Sequence, residues 1–238
     1  MSTDFTETHQ GELHLYDGLE EVPCSGENFL IPGPKGVLEA LLVQPDDFEN
    51  GHPIAVVCHP HPLHGGTMAN KVVHIVSDAL NKLGAATIRF NFRGVGYSAG
   101  RYDNGVGEID DLDAVVSWFK ERYPESPLWL AGFSFGSFVA FSAHKKVGAE
   151  RLLLVAPPVG RFPFDPEQCV EIPWVVIQGG KDDVVSPEEV SVWVHRCRNK
   201  PHYEWFADAD HFFHGRLNRI RQIILDQWSN KIEGAVTQ

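Results

Sequence analysis

Ser134 stands between two glycines in the run Gly132-Phe133-Ser134-Phe135-Gly136, directly after the apolar stretch LWLAGF and before a helical pattern. A serine in such a strand–turn–helix elbow projects its hydroxyl from a strained backbone, and the positions two residues either side have no room for side chains. An ordinary serine hydroxyl is a poor nucleophile. It needs a histidine to take its proton and an acid to orient that histidine. Both follow in the order Ser, Asp, His. Asp182 lies in Gly179-Gly180-Lys181-Asp182-Asp183, after the strand-like WVVIQ, and His211 lies in Ala207-Asp208-Ala209-Asp210-His211, after HYEWF. Asp182 is preferred to Asp183 for its offset from Gly179, and His211 to His214 for its closeness to the strand end. The backbone N–H of Phe135, at the start of the helix, points where an oxyanion would develop.

The run Cys58-His59-Pro60-His61-Pro62-Leu63-His64-Gly65-Gly66 follows the strand IAVVCH, where a second oxyanion donor is needed. Pro60 and Pro62 have no N–H to offer. His61 and Leu63 remain, and His61 has the better offset from the strand end. The spacing His59-x-His61-x-x-His64 also suggests a shared divalent cation and its activated water. It resembles the HxHxDH ligand run of metallo-β-lactamase-like hydrolases, but Leu63 stands where that run requires an aspartate. Neither a metal nor a cofactor is expected.

These groups need a scaffold that brings distant loops together, and the rest of the chain supplies its pattern. Apolar, β-rich runs at Ile54–His59, Ala86–Phe92, Leu128–Phe133, Arg151–Ala156, Trp174–Gly179 and His202–Phe206 alternate with helical spacings. Val72, Val76, Ala79 and Leu83 form one such spacing, and Ile109, Leu112, Val116 and Phe119 another. Ser186-Pro187-Glu188-Glu189 reads as a capping box before Val190, Trp193, Val194 and Cys197. A last helix carries Phe213, Leu217, Ile220, Ile224 and Trp228. Such alternation predicts an α/β fold with a mainly parallel sheet, helices on both faces, and ligands at the carboxyl ends of the strands. FLIPG and VLEALLV are expected to pair as an antiparallel hairpin at one edge.

No repeat, low-complexity tract or linker divides the 238 residues, so one domain spanning 1–238 is expected, with an amino-terminal extension at 1–26 and a mobile tail at 231–238. The composition, 43% hydrophobic and 22% charged, suits a globular enzyme. A net charge of −12 opposes nucleic acid, whose binders need clustered Lys and Arg. No apolar run approaches the about 20 residues that cross a bilayer, and the polar, acidic start is unlike a signal peptide. Cys24, Cys58, Cys169 and Cys197 are scattered without a CxxC pair, as a reducing cytoplasm favours.

Taken together, HPHPLHGGTM at His59–Met68, NFRGVGYSAG at Asn91–Gly100, GFSFG at Gly132–Gly136, QGGKDDVV at Gln178–Val185 and DHFFHGRL at Asp210–Leu217 resemble the α/β-hydrolase superfamily. More narrowly they resemble its small bacterial members with an HPHPxxGGxM loop, from about Val37 to Trp228. The resemblance implies Ser134 as nucleophile, His211 as base and Asp182 as orienting acid. It also implies a loop near the site holding Arg93 and Tyr97, in which a structural role is an equal alternative. Only Pro157–Pro173 stands where larger members insert a lid, so an open site is expected. Leu63 and Phe162 are candidates to contact substrate, with Phe164 and Phe135 beside them, though aromatic residues there equally serve packing. The expected reaction is hydrolysis of a small-molecule ester. A peptidase, a thioesterase, a lipase or a binding protein on the same scaffold are the alternatives.

Overall fold

The computed structural model of the protein describes residues 13–18 and 22–229. The expected tail at 231–238 lies outside the described residues, as does part of the expected extension at 1–26. Eight strands form one sheet: β1 (Asn28–Gly33), β2 (Gly36–Val43), β3 (Ile54–Cys58), β4 (Ala86–Phe90), β5 (Leu128–Phe133), β6 (Arg151–Val155), β7 (Trp174–Gly179) and β8 (His202–Phe206). Their spatial order is β1-β2-β4-β3-β5-β6-β7-β8. β1 and β2 make the expected antiparallel hairpin, and β2 also runs antiparallel to β4, while every pairing from β4 onward is parallel. The described part of the extension adds to this edge. Tyr16 N–H donates to the Leu30 carbonyl and Leu30 N–H to that of His14.

Helices cover both faces, which is why strands β3 to β7 are buried at every position, and mostly apolar, rather than at alternate ones. On one face, Ala55, Val57, Ala131, Leu153 and Ile177 meet α1 (Lys71–Lys82) and α5 (Leu217–Ser229) through Val72, Val76, Ile220, Ile224 and Trp228. The intervening residues Val56, Leu130, Leu154 and Val176 face α2 (Val106–Arg122), α3 (Phe135–Ala143) and α4 (Pro187–Arg196) on the other.

Three local expectations change. The last helix begins at Leu217, not at Phe213. Phe213 instead takes a positive φ of 54° in the preceding turn, and its buried ring packs on Phe206. The strand expected to Phe92 ends at Phe90 because the Phe92 N–H turns to His59 Nε2. The Ser186 box forms its forward half, Ser186 Oγ accepting the Glu189 N–H at 3.2 Å. The Glu189 carboxylate lies over Gly160 instead of returning to the cap. Pro157–Pro173 contains no helix or strand. Among the described residues no helix is long and apolar enough to cross a membrane.

Candidate active site

The turn from β5 into α3 holds Ser134 at φ 53° and ψ −121°, a conformation that side-chain-bearing residues seldom adopt and that costs about 1–3 kcal/mol. The neighbouring strand holds it there. Ser134 N–H donates to the Val155 carbonyl at 2.8 Å, and Ser137 Oγ lies 2.8 Å from the Gly132 carbonyl and 2.9 Å from that of Val155. The flanking glycines are required by contact distance. A Cβ on Gly132 would lie 2.2 Å from the Gly136 carbonyl oxygen, and one on Gly136 would lie 2.3 Å from that of Cys58.

The loops after β7 and β8 deliver the carboxylate and the imidazole. They are zipped together by main chain, with Lys181 N–H donating to Ala209 O at 2.9 Å and Gly180 N–H to Phe206 O at 2.8 Å. The approach leaves no space for a side chain at Gly179, whose Cβ would meet Ala209 O at 2.5 Å. Asp182 Oδ1 accepts the N–H groups of Val184 at 2.9 Å and Val185 at 2.7 Å. Its Oδ2 accepts from Gln178 Nε2 at 3.1 Å and faces His211 Nδ1 at 2.8 Å. Nδ1 therefore carries the proton, and Nε2, 3.1 Å from Ser134 Oγ, presents its lone pair to the hydroxyl. Burial acts to raise the Asp182 carboxyl, but His211 and the two valine N–H groups outweigh it and hold the group below its ordinary range. The alternatives lie elsewhere: Asp183 is exposed, and exposed His214 pairs with Asp210 at 2.6 Å.

The loop after β3 comes against the start of α3, because Gly136 abuts Cys58. The His61 ring lies 5.2 Å from that of Phe135. Among the described residues neither the Phe135 N–H nor the His61 N–H has a protein acceptor. The Leu63 N–H, by contrast, donates to His61 Nδ1 at 3.2 Å. His59 braces this loop from inside. Its Nδ1 donates to the Pro60 carbonyl at 2.6 Å and its Nε2 accepts the Phe92 N–H at 3.0 Å, which fixes the tautomer. Burial pushes its pKa down to about 4, against the bond to Pro60. With both His59 nitrogens and His61 Nδ1 engaged, the three imidazoles do not converge. Among the described residues no group of three or more His, Cys, Asp or Glu could hold a metal ion.

Aromatic rings wall the site. Phe162 stacks on Phe138 at 4.8 Å and stands 5.3 Å from Phe135, and Tyr102 lies 4.7 Å from His61. Leu63 is 68% exposed at the mouth. Phe164 turns into the core beside Phe141 and Trp193. Arg93 is buried against Asp111, Nη2 to Oδ1 at 2.7 Å, and shapes its loop from within. Tyr97 is exposed, and its N–H donates to the Glu39 carboxylate.

Gln178 and His59 stand in the sequence motifs without revealing these roles, and Tyr102 lies outside every motif. A polar Gln178 within the apolar run WVVIQ was the one available signal, since a buried amide at a strand end needs a partner.

Comparison with known proteins places this geometry in company. The family described as "Serine aminopeptidase, S33" matches residues 51–164. An uncharacterised Rickettsia prowazekii protein, RP471, is 35% identical over 204 residues, covering 82% of this chain and 85% of the relative. A solved α/β serine hydrolase homologue from Coxiella burnetii is 42% identical, with 87% of this chain and all of the other covered at a TM-score of 0.82. XC6422 from Xanthomonas campestris, described as an α/β serine hydrolase without lid, is 38% identical over 88% of this chain and 96% of its own, also at 0.82.

Proposed function

This chain belongs to the α/β serine hydrolase family, and from that premise we propose that it cleaves carboxylic esters of small or medium acyl groups through an acyl-enzyme. The observation that carries the reading is the hydrogen-bonded line from Asp182 through His211 to Ser134. In this mechanism His211 Nε2 takes the hydroxyl proton as Ser134 Oγ adds to the ester carbonyl. Asp182 stabilises the imidazolium through Nδ1. The N–H groups of Phe135 and His61 receive the oxyanion; Leu63 is the weaker candidate because its N–H is occupied. His211 then returns the proton to the departing alcohol. Water enters, loses a proton to the same nitrogen, and releases the acid from Ser134.

A second reading comes from the aminopeptidase description of the matching family. An aminopeptidase must hold a free ammonium group, which calls for a carboxylate near the serine. The cavity beside the candidate oxyanion loop is lined by Arg93 and Arg101 and by no carboxylate, and the glutamates of a second cavity, Glu188 and Glu189, stand with Trp193 and Arg196 on the side of α4. We therefore favour the ester. The four cysteines are free thiols, as a reducing compartment would keep them, and we propose a cytoplasmic location.

The test is hydrolysis of 4-nitrophenyl esters of increasing acyl length beside aminoacyl 4-nitroanilides, for the wild type and Ser134→Ala. The expected result is ester turnover that falls by about 10⁴ or more in a variant that still melts cooperatively. Turnover of anilides alone would select the peptidase. Activity abolished by a chelator and restored by zinc would overturn the serine mechanism.

A further inference from the structure

Beside the candidate oxyanion loop lies a cavity of about 340 Å³. Pro62 and Leu63, immediately after His61, form one wall, and Arg93, Gly100, Arg101 and Tyr102 form the other. Tyr102 joins it to the reacting centre, with its ring 4.7 Å from His61 and 5.8 Å from Phe135. The cavity therefore borders the two residues whose N–H groups are the candidate oxyanion donors.

The charged walls of this cavity are cationic only, in a chain with 32 acidic and 20 basic residues. Arg93 is satisfied by Asp111 on Nε and Nη2, and its Nη1 has Asp103 at 3.8 Å. Glu108 is occupied by the N–H groups of Asp103 and Gly105. None of these three carboxylates lines the cavity. Arg101 is exposed and, among the described residues, pairs with no carboxylate. Lys35 runs alongside. A Cβ on Gly100 would lie 3.1 Å from Lys35 Cβ and 3.3 Å from Arg93 Cβ, so the stems of both side chains pack against this wall. Burial, then His64, and last the exposed Arg161 of the Pro157–Pro173 segment lower the pKa of the neighbouring His61.

We infer that this cavity receives a carboxylate carried by the substrate, with Arg101 as its charge partner, so that the preferred esters are anionic. The inference rests on the ester-hydrolase reading and narrows its substrate class. A guanidinium suits the task because its planar fork matches a carboxylate and stays charged at any physiological pH. The carboxylate belongs either to the acyl part or to the leaving alcohol, and the two sources are separable by experiment.

Two matched pairs test it. Mono-4-nitrophenyl glutarate against 4-nitrophenyl valerate places the charge on the acyl side, and 4-acetoxybenzoate against 4-acetoxybenzamide places it on the leaving group. The expected result is a ratio of kcat/KM, anionic to neutral, of about ten or more in one pair, falling about tenfold in Arg101→Gln and falling with added salt. Lys146→Gln, at a cation paired with Asp113 on α2, keeps the ratio. A ratio near one in both pairs, or a preference that survives Arg101→Gln, overturns the anion cavity while leaving ester hydrolysis standing. If no ester is cleaved, the ester-hydrolase reading fails instead. Calorimetric binding of the glutarate dianion then decides the cavity: salt-sensitive binding lost in Arg101→Gln supports it, and no binding, or binding indifferent to Arg101, overturns it.

Discussion

His211 Nε2 stands 3.1 Å from Ser134 Oγ, while its Nδ1 stands 2.8 Å from Asp182 Oδ2, so one imidazole is oriented at both ends. Asp182→Asn tests the orientation without removing volume. The N–H groups of Val184 and Val185 both need an acceptor where Oδ1 now lies, so the amide oxygen is fixed there and the NH2 turns toward His211. A donor then faces Nδ1. The imidazole moves its proton to Nε2 and can no longer accept one from Ser134. The expected loss in kcat is about 10⁴, with the fold retained at neutral pH, measured by ester turnover and thermal melting.

His61→Pro isolates a single hydrogen-bond donor. His61 sits at φ −53° and ψ 121°, which a proline adopts without strain, so the substitution deletes the N–H and leaves the chain path in place. Turnover is expected to fall about 10²–10³. His61→Ala removes the same ring but keeps the N–H. Equal losses in the two variants would show that the imidazole, and not the backbone donor, is what matters.

Gly132→Ala puts a methyl group 2.2 Å from a carbonyl oxygen at the elbow. Backbone on both sides is held by strand and helix, so the clash relaxes poorly. A cost of about 3 kcal/mol or more is expected, lowering Tm by about 6–12 °C. Calorimetry on the folded variant measures it, and an unchanged Tm would count against the packing argument.

Stability should depend on pH through His59 and Asp182 in two separate windows. His59 has its pKa lowered from 6.5 to about 4, so between these values the unfolded chain binds a proton that the folded imidazole refuses. The stabilisation is complete above pH 6.5 and declines by about 3 kcal/mol as pH falls to 4. Asp182 is depressed, so its contribution is present above the ordinary carboxylate range and is lost as pH falls through its folded value. Urea melts from pH 7.5 to 3.5 read both. His59→Gln should flatten the upper limb, and Asp182→Asn the lower one.

What the sequence by itself determined was the scaffold and the small set of residues from which the site is assembled. Apolar runs alternating with helical spacings specify buried parallel strands, because only a sheet covered on both faces hides every side chain of Val56 and its neighbours. Gly132 is legible for a similar reason, since its clash comes from a residue only four positions away, whereas Gly136 is required by Cys58 on a different strand. Tertiary structure decided everything that depends on loops from different strands meeting. His211 rather than His214 reaches Ser134 because main chain at Lys181 and Ala209 is paired across two strand ends. Phe213 leaves the helix that its spacing suggested because its buried ring seals that turn against Phe206. His59, equal to His61 and His64 in any one-dimensional pattern, is committed to Pro60 and Phe92, a contact with a loop more than thirty positions away. Arg101 likewise gains its meaning only where Leu63 and Tyr102 close a cavity around it. Periodicity and turn sterics are local and survive in the sequence. The direction of a side chain at a strand end is set by long-range backbone contacts, which are not.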